Sequence, residues 1–392
     1  MGPSNVFSAS PAYRACRMLC RMPGAVLLAL VLAGGPAVAA AQSSPGAVCD
    51  MRTTERVVAV GDVHGAYDQF VGILRAAGLL DARARWSGGR AILVQTGDIL
   101  DRGPDSRKVL DLLRRLERDA ARAGGRVHAL LGNHELMRMT WDWRFVAAGE
   151  LDAFRTSDSV DLRERALAVV SAEAARRARE EERTFDEAAF REQFLKEIPL
   201  GFIEMRQAFA PTGEEGKWLR ERPAVVKING ILFLHGGIHA DTAALGCQGI
   251  NEAVRRDVEV VNPTADQVLA MLSSRETGPL WYRGLAEEPD PAFAPQVTNI
   301  LAVLGARAIV IGHTVAAGFR IATRFDGRVI QIDTGMLGGS FYPGGMASAL
   351  EIRGDTLTAI YQNGRERLPA PASVPAAPAP VPAAATPVPA PR

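Results

Sequence analysis

Apolar and polar positions divide the chain into stretches of different period. Between residues 56 and 140, short apolar runs alternate with helical stretches. The run 56–60 is brief and β-branched and reads as a strand. Over 67–80, Phe70, Ile73, Leu74 and Ala77 recur at helical spacing. Residues 91–95 form a second strand-like run. Over 106–123, Val109, Leu110, Leu112, Leu113 and Leu116 mark an amphipathic helix. Residues 127–131 make a third strand. This alternation predicts a sheet covered by helices on its faces.

The pattern changes over 140–222, which is charged, helical in period and poor in turn signals. Within it, 163–183 is rich in Arg and Glu and reads as a solvated helix with i,i+4 ion pairs. The block reads as a helical insertion, either structural or a cap that shapes a pocket. Strand patterns return over 223–365. Residues 225–234 surround Asn229-Gly230, a hairpin signal. Residues 308–311 are a buried strand. The runs 320–324 and 328–332 flank Asp326-Gly327 and predict a second hairpin, and 347–353 with 356–362 a third. From about Leu368 the chain is almost wholly Pro, Ala and Val. Such a tail, taken as 367–392, cannot bury a core and is expected to be disordered or polyproline-like.

Composition adds bounds. The 392 residues are 47% apolar and 23% charged, which suits a soluble globular protein with a sizeable core. A net charge of +1 gives no pointer to nucleic acid or a membrane surface. Arg14, Arg17 and Arg21 precede an apolar run over 25–41 that ends in Ala39-Ala40-Ala41, followed by Gln42-Ser43-Ser44. This is the pattern of an export signal over 1–41, cleaved near Ala41, and predicts a periplasmic or secreted bacterial protein. The competing reading is a membrane anchor. The run is broken by Gly34-Gly35-Pro36 and is short against the about 20 residues a span needs, so no stable membrane insertion is expected after signal removal. Residues 42–55 read as a linker. Cys16 and Cys20 fall in the signal. Cys49 and Cys247 remain, as a disulfide that the compartment permits or as two buried thiols.

Candidate chemistry sits at strand ends. Gly61-Asp62-Val63-His64-Gly65 follows the first strand and Gly97-Asp98-Ile99-Leu100-Asp101-Arg102-Gly103 the second. Gly132-Asn133-His134-Glu135 follows the third, His235-Gly236-Gly237 the fourth and Gly312-His313 the fifth. In open α/β sheets, ligands bind beyond the carboxyl ends of strands, so loops from one edge converge. Glycines let the backbone turn sharply and approach a ligand. Carboxylate, imidazole and one amide oxygen suit Mn, Zn, Fe or similar ions. Two ions about 3.5–4 Å apart need a shared carboxylate, and such pairs serve displacement at phosphate esters. A lone Gly-Asp or Gly-His says little. GDxxDRG and GNHE, in this order after apolar runs, say much more.

These motifs resemble the calcineurin-like metallophosphoesterases, and the second Asp and Arg of GDxxDRG resemble their phosphoprotein phosphatase branch. Gly278-Pro279-Leu280-Trp281-Tyr282-Arg283-Gly284 is similar to the bacterial Shewanella-like phosphatases. The resemblance covers 56–362, weakly over 140–222. It implies an α/β domain over 56–366: a two-sheet β-sandwich flanked by helices, with 140–222 inserted. It implies two divalent ions, manganese by family expectation, with iron or zinc compatible. Asp62 and His64 would bind the first ion, Asp98 would bridge, and Asn133, His235 and His313 would complete the second site. A water between the ions would attack phosphorus in line as hydroxide, with no covalent intermediate. His134 would protonate the leaving oxygen, with Asp101 orienting it. Arg102 and Arg283 would clamp phosphoryl oxygens.

Simpler readings stand beside these. Asp101 could cap the helix that starts near Pro104, and Arg283 could pair with Glu287. His239 is a substrate contact or an ordinary loop residue. His128 reads as filler within a strand. Trp141, Trp143 and Tyr342 read as packing aromatics, with a pocket edge as the other option. The function that follows is hydrolysis of phosphate monoesters of a phosphoprotein, phosphopeptide or small phosphoester. The alternatives are a nucleotide or dinucleoside-polyphosphate hydrolase and a non-catalytic, metal-dependent binding or cell-envelope protein. The intact ligand set argues against the last.

Overall fold

The structure, a computed structural model, describes residues 49–373. The stretch read as an export signal and most of the Pro/Ala stretch lie outside the described residues. The chain runs β1 (Asp50–Met51), β2 (Val57–Val60), α1 (Tyr67–Ala76), β3 (Ile92–Gln95), α2 (Ser106–Arg122), β4 (Arg126–Ala129) and α3 (Asn133–Met139). Five helices follow: α4 (Ala148–Asp152), α5 (Ser159–Glu180), α6 (Glu187–Glu197), α7 (Phe202–Phe209) and α8 (Glu214–Arg220). Then come β5 (Val225–Ile228), β6 (Ile231–Leu234), α9 (Gly246–Glu259), α10 (Asp290–Leu304) and β7 (Ala308–Ile311). The last strands are β8 (Ala322–Arg324), β9 (Val329–Gln331), β10 (Ser348–Arg353), β11 (Thr356–Tyr361) and β12 (Gly364–Leu368). Strand and helix ends shift by only a few residues from the sequence pattern.

Two six-stranded sheets form, in the orders β12-β11-β10-β2-β3-β4 and β1-β5-β6-β7-β9-β8. Successive side chains of a strand point to opposite faces, and here both faces are apolar. Val57, Ala59, Ile92 and Val94 join Val226, Ile231, Phe233, Val310 and Ile330 in a core between the sheets. Val58, Val60 and Leu93 instead join Phe70, Ile73 and Leu74 of α1 and Val109, Leu110 and Leu113 of α2. Leu232 and Ile309 share that second cluster with Ile250, Val254, Val297 and Ile300 of α9 and α10. Strands buried on both faces read as continuous apolar runs. The outcome is the expected pair of sheets flanked by helices.

Three features depart from the sequence reading. Residues 42–55 are not linker throughout. β1 pairs in parallel with β5, Asp50 opposite Lys227, and Cys49 is disulfide-bonded to Cys247 across a Cα–Cα distance of 6.0 Å. A two-residue strand carries too little pattern to be seen. The folded part also runs past 366, because β12 pairs antiparallel with β11, Thr358 opposite Arg367. Its sequence Gly-Arg-Glu-Arg hides an edge strand, where charge blocks edge-to-edge pairing. Finally, α5 is solvated on one side only. Glu173 pairs with Arg177 at 2.8 Å and Glu164 with Arg191 of α6 at 2.7 Å, while Ala166, Leu167 and Val170 are buried. Among the described residues no helix is long and apolar enough to cross a membrane.

Candidate functional site

The loops after β2, β3, β4, β6 and β7 meet at one edge of the sandwich. Their backbones are held in unusual shapes. His64, Asp98, Asp101, Arg102 and His313 all have positive φ, from 47° to 70°, a conformation that costs a non-glycine residue energy and clusters at functional sites. Hydrogen bonds over-determine it: the N–H groups of Val63 and His64 both donate to the Asp98 carbonyl at 2.9 Å. Two glycines are required by space. A Cβ at Gly132 would stand 2.2 Å from Asp98 Oδ1, and one at Gly312 would stand 2.4 Å from Asp62 Oδ1.

The donor atoms converge around Asp98. His64 Nε2 lies 3.5 Å from Asp98 Oδ2 and 3.8 Å from Asp62 Oδ2. On the other side His235 Nε2 lies 3.2 Å from Asp98 Oδ1, 2.8 Å from Asn133 Oδ1 and 3.1 Å from His313 Nδ1. Two donor groups, His64–Asp98–His134 and Asp98–His235–His313, thus share one carboxylate, and all five residues are buried. Backbone groups aim the ligands. His64 Nδ1 faces the Leu100 carbonyl at 2.8 Å and His235 Nδ1 the Thr96 carbonyl at 3.1 Å. Donation there leaves each Nε2 lone pair free for a cation. The N–H of His134 holds Asp98 and that of His313 holds Asp62, each at 3.0 Å.

The residues fit divalent ions. Burial, with Asp333 and Asp98 close by, raises the Asp62 carboxyl well above the usual range. Burial likewise raises Asp333, with Asp98 adding to it. Burial opposes ionisation of Asp98 too, but His235, His134 and His64 outweigh it and hold the carboxyl well below the usual range. Three carboxylates crowded in one buried place call for positive charge. Burial lowers His64 to about 3 and His313 to about 2, so both imidazoles present lone pairs. His313 Nε2 and Asp333 Oδ2 are buried without a hydrogen-bond partner.

His134 behaves differently. Its Nδ1 lies 2.7 Å from Asp101 Oδ2. Burial pushes its pKa down, yet Asp98 and Asp101 outweigh burial and raise it. Asp101 does not cap α2, whose N-cap residue is Asp105. Arg102 reaches inward, its Nη2 3.2 Å from His134 Nε2 and its Nη1 against His64 Nε2 and the Tyr342 hydroxyl. Tyr342 therefore edges the pocket instead of filling core. Arg283 lies beside the opposite group: its Nη1 donates to the His313 carbonyl at 3.0 Å and to Thr314 Oγ1 at 2.8 Å. Among the described residues its guanidinium bonds run there and not to the Glu287 carboxylate; Glu287 meets Arg283 only through its backbone N–H, which donates to the Arg283 carbonyl at 2.9 Å.

The remaining aromatic and histidine positions sort by place. Trp141 and Trp143 stack at 6.1 Å and are buried. His239 packs edge-on to Tyr282 at 5.3 Å and accepts from the Asp241 N–H. His128 sits in β4, its ring lowered to about 4 by burial and by Arg126 and Arg222. A cleft of about 450 Å³ beside the loop after β9, lined by Gln69, Met336, Leu337, Met346, Tyr361 and Gln362, contains none of the chemistry-bearing residues.

Several site residues had no role in the sequence reading. Asp333 ends a sixth loop, after β9. Its signal was present, because Asp333-Thr334-Gly335 follows a predicted strand as the other motifs do. Glu135 stands in the GNHE motif. Its carboxylate accepts from the N–H groups of Asp98, Ile99, Leu100 and Gly132 at 2.8–3.2 Å and locks two ligand loops together. Arg138, Phe145 and Glu150 gave no local signal. Phe145 packs on His134 at 5.2 Å and is 41% exposed, so the 140–222 segment forms part of the pocket wall.

Comparison with known proteins agrees with this geometry. The family model for calcineurin-like phosphoesterases matches residues 55–317. An uncharacterized protein of Schizosaccharomyces pombe is 30% identical over 78% of this chain and 81% of its own length. Shewanella-like protein phosphatase 2 of Arabidopsis thaliana is 29% identical, covering 77% of this chain and 76% of that protein. The crystal structure of a cold-active protein-tyrosine phosphatase from a psychrophilic Shewanella species superposes with a TM-score of 0.61. It is 27% identical and covers 82% of each chain.

Proposed function

Because the chain belongs to the calcineurin-like phosphoesterase family and is a phosphatase, we propose that it is a dinuclear-metal phosphomonoesterase acting on phosphoprotein or phosphopeptide side chains. The observation that carries this is the place of Asp98 between His64, itself near Asp62, on one side and His235 with His313 on the other, with an Asp101–His134 pair at 2.7 Å beside it. Asp62, His64 and Asp98 would hold one ion, and Asp98, Asn133, His235 and His313 would hold the other. Nitrogen and oxygen donors of this kind accept manganese, iron or zinc, and manganese is our expectation. When bound, two such cations neutralise phosphoryl oxygens and make a water acidic enough to serve as nucleophile.

The chain's own residues supply the rest. His64 and His235 stay oriented as lone-pair donors through the Leu100 and Thr96 carbonyls. Asp98 and Asp101 raise the pKa of His134 against burial, which favours its protonated form, and a proton on Nε2 would pass to the leaving oxygen. Such proton transfer is worth about 10²–10⁴-fold. Asp101 accepts from Nδ1 and keeps the ring aimed. Arg102 and Arg283 flank the two groups, and their planar forks suit phosphoryl oxygens. Phe145 beside His134 offers a face to the leaving group.

The test is a substrate panel on purified protein supplied with Mn²⁺, Fe²⁺ or Zn²⁺. We expect phosphopeptides, including phosphotyrosine peptides, to be cleaved faster than diadenosine tetraphosphate. A clear preference for the dinucleotide would replace this reading with a nucleotide hydrolase.

A further inference from the structure

We propose that Arg138 positions the proton donor: seated in a socket built by the helical segment, it fixes Asp101 and through it the His134 imidazole. The proposal rests on the reading of His134 as proton donor given above.

Arg138 lies four residues after His134 on α3, so both side chains share one helix face. It is the largest fully buried side chain described. Its Nη2 donates to Asp101 Oδ1, the oxygen opposite the one that holds His134 Nδ1. Each oxygen of Asp101 thus has one fixed partner, and the carboxylate cannot rotate without losing one of them. Nη2 also lies 3.4 Å from Glu150 Oε1. That same oxygen accepts from the Asp101 N–H at 3.3 Å, and Glu150 Oε2 accepts from the Ala147 N–H at 3.1 Å.

The rest of the socket comes from the helical segment. The guanidinium lies over Phe209 at 4.9 Å and Trp143 at 5.1 Å, with Nη1 3.1 Å from Met205 Sδ. Trp143, Glu150, Met205 and Phe209 all fall within 140–222. Burying an ion pair adds little stability over an apolar filling of equal volume. Packing alone therefore does not explain an arginine here, whereas a directed two-point grip on Asp101 does. The helical segment serves the chemistry by holding this arginine.

The experiment compares the metal-supplied parent with Arg138→Lys and with the double variant Arg138→Met/Glu150→Gln. The double variant removes one positive and one negative buried charge and so avoids stranding either. Rates are read on p-nitrophenyl phosphate, whose leaving group needs little protonation, and on an alkyl phosphate, whose leaving group needs much. We expect the double variant to melt within a few degrees of the parent. It should lose about 10²-fold in kcat on the alkyl ester, far less on p-nitrophenyl phosphate, with KM little changed. Arg138→Lys should fall between. With diamagnetic Zn²⁺ supplied, the His134 ring N–H proton resonance, expected downfield in the parent because Nδ1 lies 2.7 Å from Asp101 Oδ2, should move upfield in the double variant. Equal losses on the two substrates, or none on either, would overturn the proposal. His134→Asn is the control for the underlying reading. If it too loses equally on both substrates, the proton-donor role fails and the proposal falls with it. A selective loss in His134→Asn without one in the double variant removes Arg138 alone.

Discussion

The site has two halves that treat the same side chain in opposite ways. In the ligand half, His64 and His313 are driven toward neutrality by burial, to about 3 and about 2. His64 and His235 are steadied by backbone carbonyls, which take an N–H and give no charge. In the proton-donor half, His134 faces a carboxylate that is itself held ionised. Burial raises Asp101, but Arg138 and His134 outweigh it and lower its pKa. On the function proposed above, a carbonyl partner suits His64 and His235 to ligand duty, and a carboxylate partner suits His134 to acid duty.

The contrast can be broken at several depths. The deepest cut is Asp98→Asn, which removes the carboxylate both donor groups share. Turnover of p-nitrophenyl phosphate should fall by about 10³-fold or more, with metal content reduced in elemental analysis, because metal ions are worth several kcal/mol here. Unchanged turnover in this variant would end the two-metal reading. Next, His134→Asn should cost about 10²-fold on alkyl phosphates while leaving metal content intact. A loss of metal would mean that His134 belongs to the ligand half after all. A smaller effect is expected from Arg283→Lys. Its fork is anchored at His313 and Thr314, and losing that planar geometry should raise KM about tenfold.

The smallest effect lies outside both halves and isolates burial from chemistry. His128 stays neutral in the fold down to about 4, while an unfolded histidine takes up its proton near 6.5. Between those values the unfolded chain binds more protons, so stability falls as pH falls through that window and is unaffected above it. His128→Gln should remove this loss. Its melting temperature should exceed the parent's by a few degrees at pH 5 and match it at pH 7.5, read by calorimetry without added metal.

How much was legible follows the same division. The residues proposed as ligands stand on short local signals: a strand end, then a donor with a glycine within two residues of it. Asp62, His64, Asp98, Asn133, His235 and His313 could each be read within about five residues. Asp333 obeys that rule and was passed over because no histidine or second motif residue accompanies it. The proton-donor half depends on partners far apart in sequence. Glu150 and Met205 reach Arg138 through tertiary packing, and no spacing in the chain announces that. The helical segment was recognised as helical and charged, but its buried face points at chemistry that only the folded arrangement reveals. The edge strands β1 and β12 were hidden by brevity and by charge.

The Cys49–Cys247 bond closes a covalent ring over 198 positions of sequence. Asp62, His64, Asp98, Asn133 and His235 lie on the ring, together with all of the helical segment. Arg283, His313 and Asp333 lie on the chain beyond it. The exposed stretch 181–184 between α5 and α6 is the natural place for a protease to enter. A cut there opens the ring without releasing a piece. We expect a nicked molecule to run as one band on a denaturing gel until reductant is added, then as two. The bond thus turns a vulnerable insertion into a scar that the molecule survives in one piece.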